Sequence, residues 1–325
     1  FFFNLLWVLF PLTACSSGKS SSGTTKENSS SSKTVRSNEP DLHIPKASGT
    51  SVIGQEPLLI DISHLDQGYV MAYYSGTSEK ANIQLIGPDE IEYKYFIKPE
   101  DGYVTLPITS GNGTYIVKTY ENISGTQYAS LYTEHIEVTL ENDYVPYLYP
   151  NQYVNFSKES KIVSKASDIV KNATSDLDAV SSIYHYVINN ITYDTKKAET
   201  VQNGYLPDVD KTLETQKGIC FDYAALMTSM LRSQGIPTKL QIGYAGKVYH
   251  AWISVYLEET GWIDDIIQFD GKHWERMDPT FASANANSKK ILNYIGDGDQ
   301  LCDTIYYVNL TLLSLSYFTL RKEPY

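Results

Sequence analysis

Between residues 52 and 142, apolar and polar positions alternate with a period of two, in short runs such as "YVMAYYS", "ANIQLIG", "IEYKYFI" and "TYIVKTYE". Gly, Pro, Asp and Asn break the runs apart. Alternation puts every second side chain on one face of a strand, and strands recurring at roughly ten-residue spacing predict a small antiparallel sandwich. Beyond the linker "ENDYVPYLYPNQYV" the period changes. "KESKIVSKASDIVKNAT" and "SDLDAVSSIYHYVINNITYD" carry apolar residues at helical spacing. Ser175 with Asp178 three residues on resembles a capping box. The polar, turn-rich stretch 195–218 reads as a long connection of the kind that forms a lid or cleft wall. An amphipathic helix is then predicted to open at Cys220 and to stop at Gly235 and Pro237. "TKLQIGYAG" and "VYHAWISVYL" predict two neighbouring antiparallel strands, and "GKHWERMDPTF" a further short strand ending at Asp278.

The two ends break this pattern. "FFFNLLWVLFPLTAC" is too short for a comfortable membrane span and ends in small residues, like a secretory signal. Its Leu12-Thr13-Ala14-Cys15 resembles the bacterial lipobox, which implies lipidation of Cys15 as the mature N-terminus. No Met or basic stretch precedes it, so the expectation is that this sequence begins inside the signal at residues 1–15. Residues 16–51 are Ser-rich and without period, and read as a flexible tether. At the other end, 301–325 is apolar without clear period. It stays open between a final strand pair, a frameshifted translation and a marginal membrane segment, with Asn309, Thr311, Ser314 and Ser316 arguing against the last.

Composition narrows the function classes. The chain has 325 residues, 42% of them hydrophobic, enough for about two domains. A net charge of -12 argues against general nucleic-acid binding, because no basic footprint would neutralise phosphates. Tyrosine, at 27 against 10 phenylalanines, suits strands and half-exposed surfaces. The three cysteines, Cys15, Cys220 and Cys302, lack close metal-ligand spacing, so neither a metal nor another cofactor is expected. A Cys220–Cys302 disulfide stays open.

Cys220 carries the candidate chemistry. A cysteine in the first turn of a helix lies at the positive end of the dipole and beside unpaired N–H groups; both favour the thiolate and can hold an oxyanion. His250, in an otherwise apolar and aromatic strand, is a core residue or a base. Asp278 can accept the far N–H of a neighbouring imidazole and fix its tautomer. Thirty residues separate Cys220 from His250, and twenty-eight separate His250 from Asp278. His64 and His135 are isolated and read as structural or surface residues.

The matches Gly218-x-Cys220, Asp222-Tyr223-Ala224, Gly235-Ile236-Pro237, His250-Ala251-Trp252 and Asp278-Pro279-Thr280 resemble the transglutaminase-like core. The resemblance covers about residues 145–300 and is most specific from 212 to 281. It implies an α+β fold: a papain/transglutaminase-like helix-plus-antiparallel-sheet domain, here preceded by the sandwich. It also implies a Cys220–His250–Asp278 catalytic triad and acyl transfer on protein or peptide amides. The sequence departs from the family at "EETGWIDDIIQFDGK", longer than the usual turn and bringing the rival acid Asp264. Asp278 is preferred because Trp274 and Pro279-Thr280 flank it in the family manner, and His273 lacks the Ala-Trp context. Gln216 and Tyr193 are the candidate second oxyanion donors. The expected partners are a protein or peptide substrate, cell-wall material among them, and a membrane reached through a lipid on Cys15, facing outward. The competing expectation is a non-catalytic surface binding or assembly module that keeps the fold.

Overall fold

The computed structural model describes residues 35–202, 204–245, 248–269, 274–275 and 305–308; for 243–245, 248–250 and everything from 264 on, the description is of the backbone alone. Cys15 and the chain up to Thr34 lie outside the described residues, as do His273, Asp278 and Cys302.

Eight strands form the first part: β1 (Val52–Gln55), β2 (Leu58–Asp61), β3 (Tyr69–Tyr74), β4 (Ala81–Ile86), β5 (Glu92–Ile97), β6 (Tyr103–Pro107), β7 (Gly113–Ser124) and β8 (Gln127–Val138). They pair antiparallel into two four-stranded sheets, ordered β1-β2-β3-β6 and β5-β4-β7-β8. The alternating apolar positions do what the period implies. Leu58, Ile60, Val70 and Leu106 of one sheet and Ile83, Leu85, Ile97 and Val117 of the other share one buried core. Tyrosine serves the core as well as half-exposed surfaces here. Tyr74 and Tyr115 are fully buried, with Tyr74 donating to Glu121 (2.6 Å) and Tyr115 to the Gly111 carbonyl (2.9 Å). Such partners let a phenol be buried without losing its hydrogen bond.

The second part comprises α1 (Lys161–Val170), α2 (Asp176–Asn190), β9 (Thr192–Tyr193), α3 (Thr195–Thr200), α4 (Val209–Thr215), β10 (Lys217–Gly218), α5 (Cys220–Arg232), β11 (Thr238–Ala245), β12 (Val248–Leu257), β13 (Gly261–Phe269), β14 (Trp274–Glu275) and β15 (Ile305–Val308). The sheet runs β14-β13-β12-β11-β15, antiparallel throughout. Helix α5 packs on β11 and β12, while α1, α2 and α4 pack on α5. Ala225, Leu226 and Met230 of the helix share a buried core with Leu240, Ile242, Ala251, Ile253 and Val255 of the sheet. The architecture is α+β, a helix-plus-antiparallel-sheet body preceded by a sandwich. Among the described residues no helix is long and apolar enough to cross a membrane.

Four sequence expectations change. Helix α5 is not amphipathic: every residue from Phe221 to Arg232 is buried, because helices cover the side turned away from the sheet. The 195–218 connection holds two short helices, α3 and α4, because Asp194 and Asp208 cap them, accepting from the N–H of Lys197 and Lys211 at 2.9 Å each. The stretch after the His strand, expected to be an enlarged turn, holds the nine-residue strand β13. The tether does not extend to residue 51. Arg36 donates to the Asp176 carboxylate (2.5 Å) and to the Gln234 carbonyl (2.5 Å), and the Asp41 N–H donates to Ser233 (3.0 Å). Beyond them, the Gly49 N–H reaches Asp61 (2.5 Å). Residues 35–49 are thus a strap tied to both parts, held by polar anchors that a search for apolar periodicity passes over.

Candidate active site

Cys220 is the first residue of α5, and the turn leading to it is bolted from three sides. Strand β9 pairs parallel with β10, Thr192 N–H donating to the Gln216 carbonyl and Asp194 N–H to Gly218, both at 2.8 Å. Tyr223, one turn into the helix, donates its buried hydroxyl to the Ile191 carbonyl (2.6 Å). The ring of Phe221 lies between Tyr153 and Tyr205, its centroid 6.3 Å from each of theirs. Such support fixes a side chain on a helix start, where termini otherwise fray.

Asp222 supplies the cap. Its carboxylate, wholly buried, accepts the Ile219 N–H at 2.8 Å, one of the orphan donors of the helix start. It also accepts from Lys197 Nζ (2.7 Å) and from the Tyr205 hydroxyl, and Lys197 in turn donates to Tyr205 (2.6 Å). Lys197 and Tyr205 have no place in the sequence argument, because nothing in their spacing signals that the 195–208 segment folds back onto α5. Only Asp222, at the third helical position, carries a readable capping pattern.

The thiol itself is free and half-buried; Cys302, the other half of the bridge left open by the sequence, lies outside the described residues. Burial pushes its pKa above the ordinary thiol value; the backbone N–H groups of Ala251, Phe221 and Cys220 pull the other way, and the Asp222 carboxylate adds to the rise. The helix-start N–H groups act in the direction the sequence implies, yet burial outweighs them. The Ala251 amide at the thiol fixes where the sulfur lies: against β12, at the residue following His250. Tyr193 stands beside it, its phenol raised first by burial and then by the charge of Cys220. Gln216 is exposed, in the left-handed region at φ 54°.

His250 is on β12, opposite Gly243 of β11. Strand β13 pairs with β12 and β14 with β13, so the strand leading to Asp278 is the second neighbour of the His strand, not the first as expected. Two strand spacings amount to about 10 Å. The rival Asp264 lies on β13 at the irregularity between the pairs Val255↔Ile263 and Ile253↔Ile267. That level is four residues from His250, about 13 Å along the strand. Asp278 lies outside the described residues.

A separate cavity of about 240 Å³ lies between β5, the linker and the edge of β11, with Tyr93, Tyr147, Tyr153, Lys239 and Arg232 in its wall. Arg232 ends α5, about 18 Å along the helix axis from Cys220. Its guanidinium is buried, donates to the carbonyls of Thr238 (3.0 and 2.7 Å) and Tyr149 (2.5 Å), and is pushed down to about 9 by burial.

Residues 163–265 match the transglutaminase-like superfamily. The kyphoscoliosis peptidase of Mus musculus is 33% identical over 104 residues, 28% of this chain and 16% of that protein. The uncharacterised protein YebA of Bacillus subtilis (strain 168) is 27% identical over 139 residues, 36% of this chain and 19% of that protein. This chain therefore spans less than a fifth of the length of either relative. Among solved structures, red sea bream transglutaminase is 12% identical, with 66% of this chain and 50% of that one covered and a TM-score of 0.31.

Proposed function

With residues 163–265 being a transglutaminase-like superfamily domain, we propose that the chain is a cysteine acyl transferase or hydrolase acting on protein or peptide amides. The observation that supports this reading most is the seat of Cys220: a free thiol on a bolted helix start, its sulfur against β12 beside the residue after His250. In this reading His250 removes the thiol proton, and the sulfur attacks the amide carbonyl carbon. The Cys220 N–H and Tyr193 hold the resulting oxyanion. Collapse breaks the C–N bond; the imidazolium gives its proton to the departing ammonia or amine, leaving a thioester. A lysine amine then gives a crosslink, and water gives deamidation or peptide hydrolysis. Asp278 orients the imidazole, and Cys15, lipidated, holds the protein at the outer face of a membrane near cell-wall material.

A thiol raised by burial is the observation that favours the second reading, a binding module that keeps the fold. The two part on one assay. The protein is incubated with a glutamine peptide and a labelled primary amine; amine incorporation, ammonia release and peptide cleavage are followed together. The expected result is at least one of these products, lost in Cys220→Ala and His250→Gln. Asp278→Asn is expected to slow turnover by about a hundredfold or more, and Asp264→Asn to leave it near wild type. No product of any kind across a panel of glutamine peptides, with the fold intact, leaves the binding module as the reading.

A further inference from the structure

We propose that Lys197 is a positioning residue for Cys220: its ammonium cancels the buried Asp222 carboxylate and pins the 195–205 segment to the start of α5. The inference rests on the reading of Cys220 as the nucleophile.

Cys220 and Asp222 are the first and third residues of one helix, so a buried negative charge is built in two residues from the atom that must itself become negative. The position is not free to move. Gly218 passes so close that a Cβ on it would come within 2.6 Å of the Asp222 Cβ, and the Ile219 N–H holds the same carboxylate. A buried carboxylate left alone would be costly and would oppose a thiolate nearby. Lys197 and Tyr205 answer both problems. The ammonium reaches one carboxylate oxygen and the Tyr205 hydroxyl the other, while the ammonium also sits 4.3 Å over the Tyr205 ring. The segment carrying them is fastened at its head by Asp194, whose own N–H donates to the Gly218 carbonyl and whose carboxylate caps α3. A connection expected to form a lid or cleft wall is tied to the strand and helix that present Cys220.

The titratable groups that act on the thiol are Asp222 on its own helix and Tyr193 on β9; Lys197 and Tyr205, on the segment after β9, reach it through the Asp222 carboxylate they hold. On β12, His250 precedes the Ala251 amide that meets the sulfur. Of the two influences that raise the thiol, burial is the larger and the Asp222 carboxylate the second. Loss of Lys197 therefore leaves Asp222 unopposed and moves the thiol up. Loss of the Asp222 charge leaves Lys197 unopposed and moves it down. A purely structural role for the pair would give the two losses the same sign.

The test is the pH profile of iodoacetamide alkylation at Cys220, read on the Cys220 peptide by mass spectrometry, with circular dichroism and thermal melts establishing the fold of each variant. K197M is expected to move the profile to higher pH and to slow alkylation at pH 7 by roughly three- to tenfold. K197R is expected to stay within about twofold of wild type, since it keeps the charge. D222N is expected to move the profile to lower pH. An unmoved profile in K197M, a shift of the same sign in K197M and D222N, or K197R behaving as K197M overturns the proposal. Should D222N not fold, K197M against K197R decides; K197Q replaces K197M if the melt shows that variant unfolded. Alkylation reports on the thiol alone, so failure of the amide assay and failure of this proposal are read separately.

Discussion

Cys220 is held between opposing influences of different range. Burial acts on the thiol from all around, whereas the N–H groups of Ala251, Phe221 and Cys220 act only along their own directions, and burial prevails. Thiolate formation therefore needs a group able to take the proton, the role the proposed mechanism gives to His250. The same site makes a stringent demand on Gly218. Its Cβ would meet the Asp222 side chain at 2.6 Å, and the obstacle is the inner end of a buried side chain that cannot swing away. Gly218→Ala is expected to cost about 1–3 kcal/mol by overpacking, and to lower amide turnover further by displacing the helix start. Chemical denaturation with the peptide–amine assay checks both. At this scale the sequence was informative about place: Cys220 opens a helix and His250 lies within a strand, as their local patterns imply. Lys197 and Tyr205 were illegible because their partner lies 25 and 17 residues away, reached only through the fold.

Elements were legible where periodicity decides and obscure where capping does. The alternation of residues 52–142 is enough for the sandwich, since burying one face of each strand leaves few other arrangements. Ser175 caps α2 as its pattern implies, accepting the Asp178 N–H at 3.1 Å, while the Asp178 carboxylate takes the Thr174 N–H at 3.1 Å. The helices α3 and α4 were missed because each is a turn or two long, too short for a hydrophobic period, and exists by virtue of its aspartate cap. Asp208→Ala is accordingly expected to destabilise by about 1 kcal/mol and to speed amide exchange across 209–215 with little effect elsewhere. A global change in exchange, or none within α4, would count against that account. Strand β13 was missed for the opposite reason. "WIDDIIQF" places two aspartates inside an otherwise apolar run, and the ladder's register with β12 is irregular at that level.

At the scale of the molecule, the sandwich and the helix-plus-sheet body share one hydrophobic core and are joined again by the strap. Asp61 is the polar centre of the strap's far end, taking the Gly49 N–H at 2.5 Å and the Ser63 N–H at 2.8 Å. Burial raises its carboxyl, but the hydrogen bonds from Ser63 and Gly49, with His64 nearby, outweigh it and leave the net shift below the ordinary 3.8. For an acid depressed by folding, the stabilisation is fully present above the unfolded value and is lost as pH falls through the folded one. Asp61→Asn is therefore expected to melt below wild type at pH 7, with the gap closing toward pH 3. A gap that stays constant down to pH 3 would show that the charge of Asp61 contributes nothing.

The strap has a mechanical consequence as well. Strand β1 is an edge strand, and a chain pulled directly from it would unzip the sheet one pair at a time. Tension arriving from ahead of residue 35 instead meets Arg36 first, where Asp176, the Gln234 carbonyl and the Ala173 carbonyl are engaged together. The load is delivered to the start of α2 and to the turn that follows α5, and the edge of the sandwich stays slack until those bonds have given way.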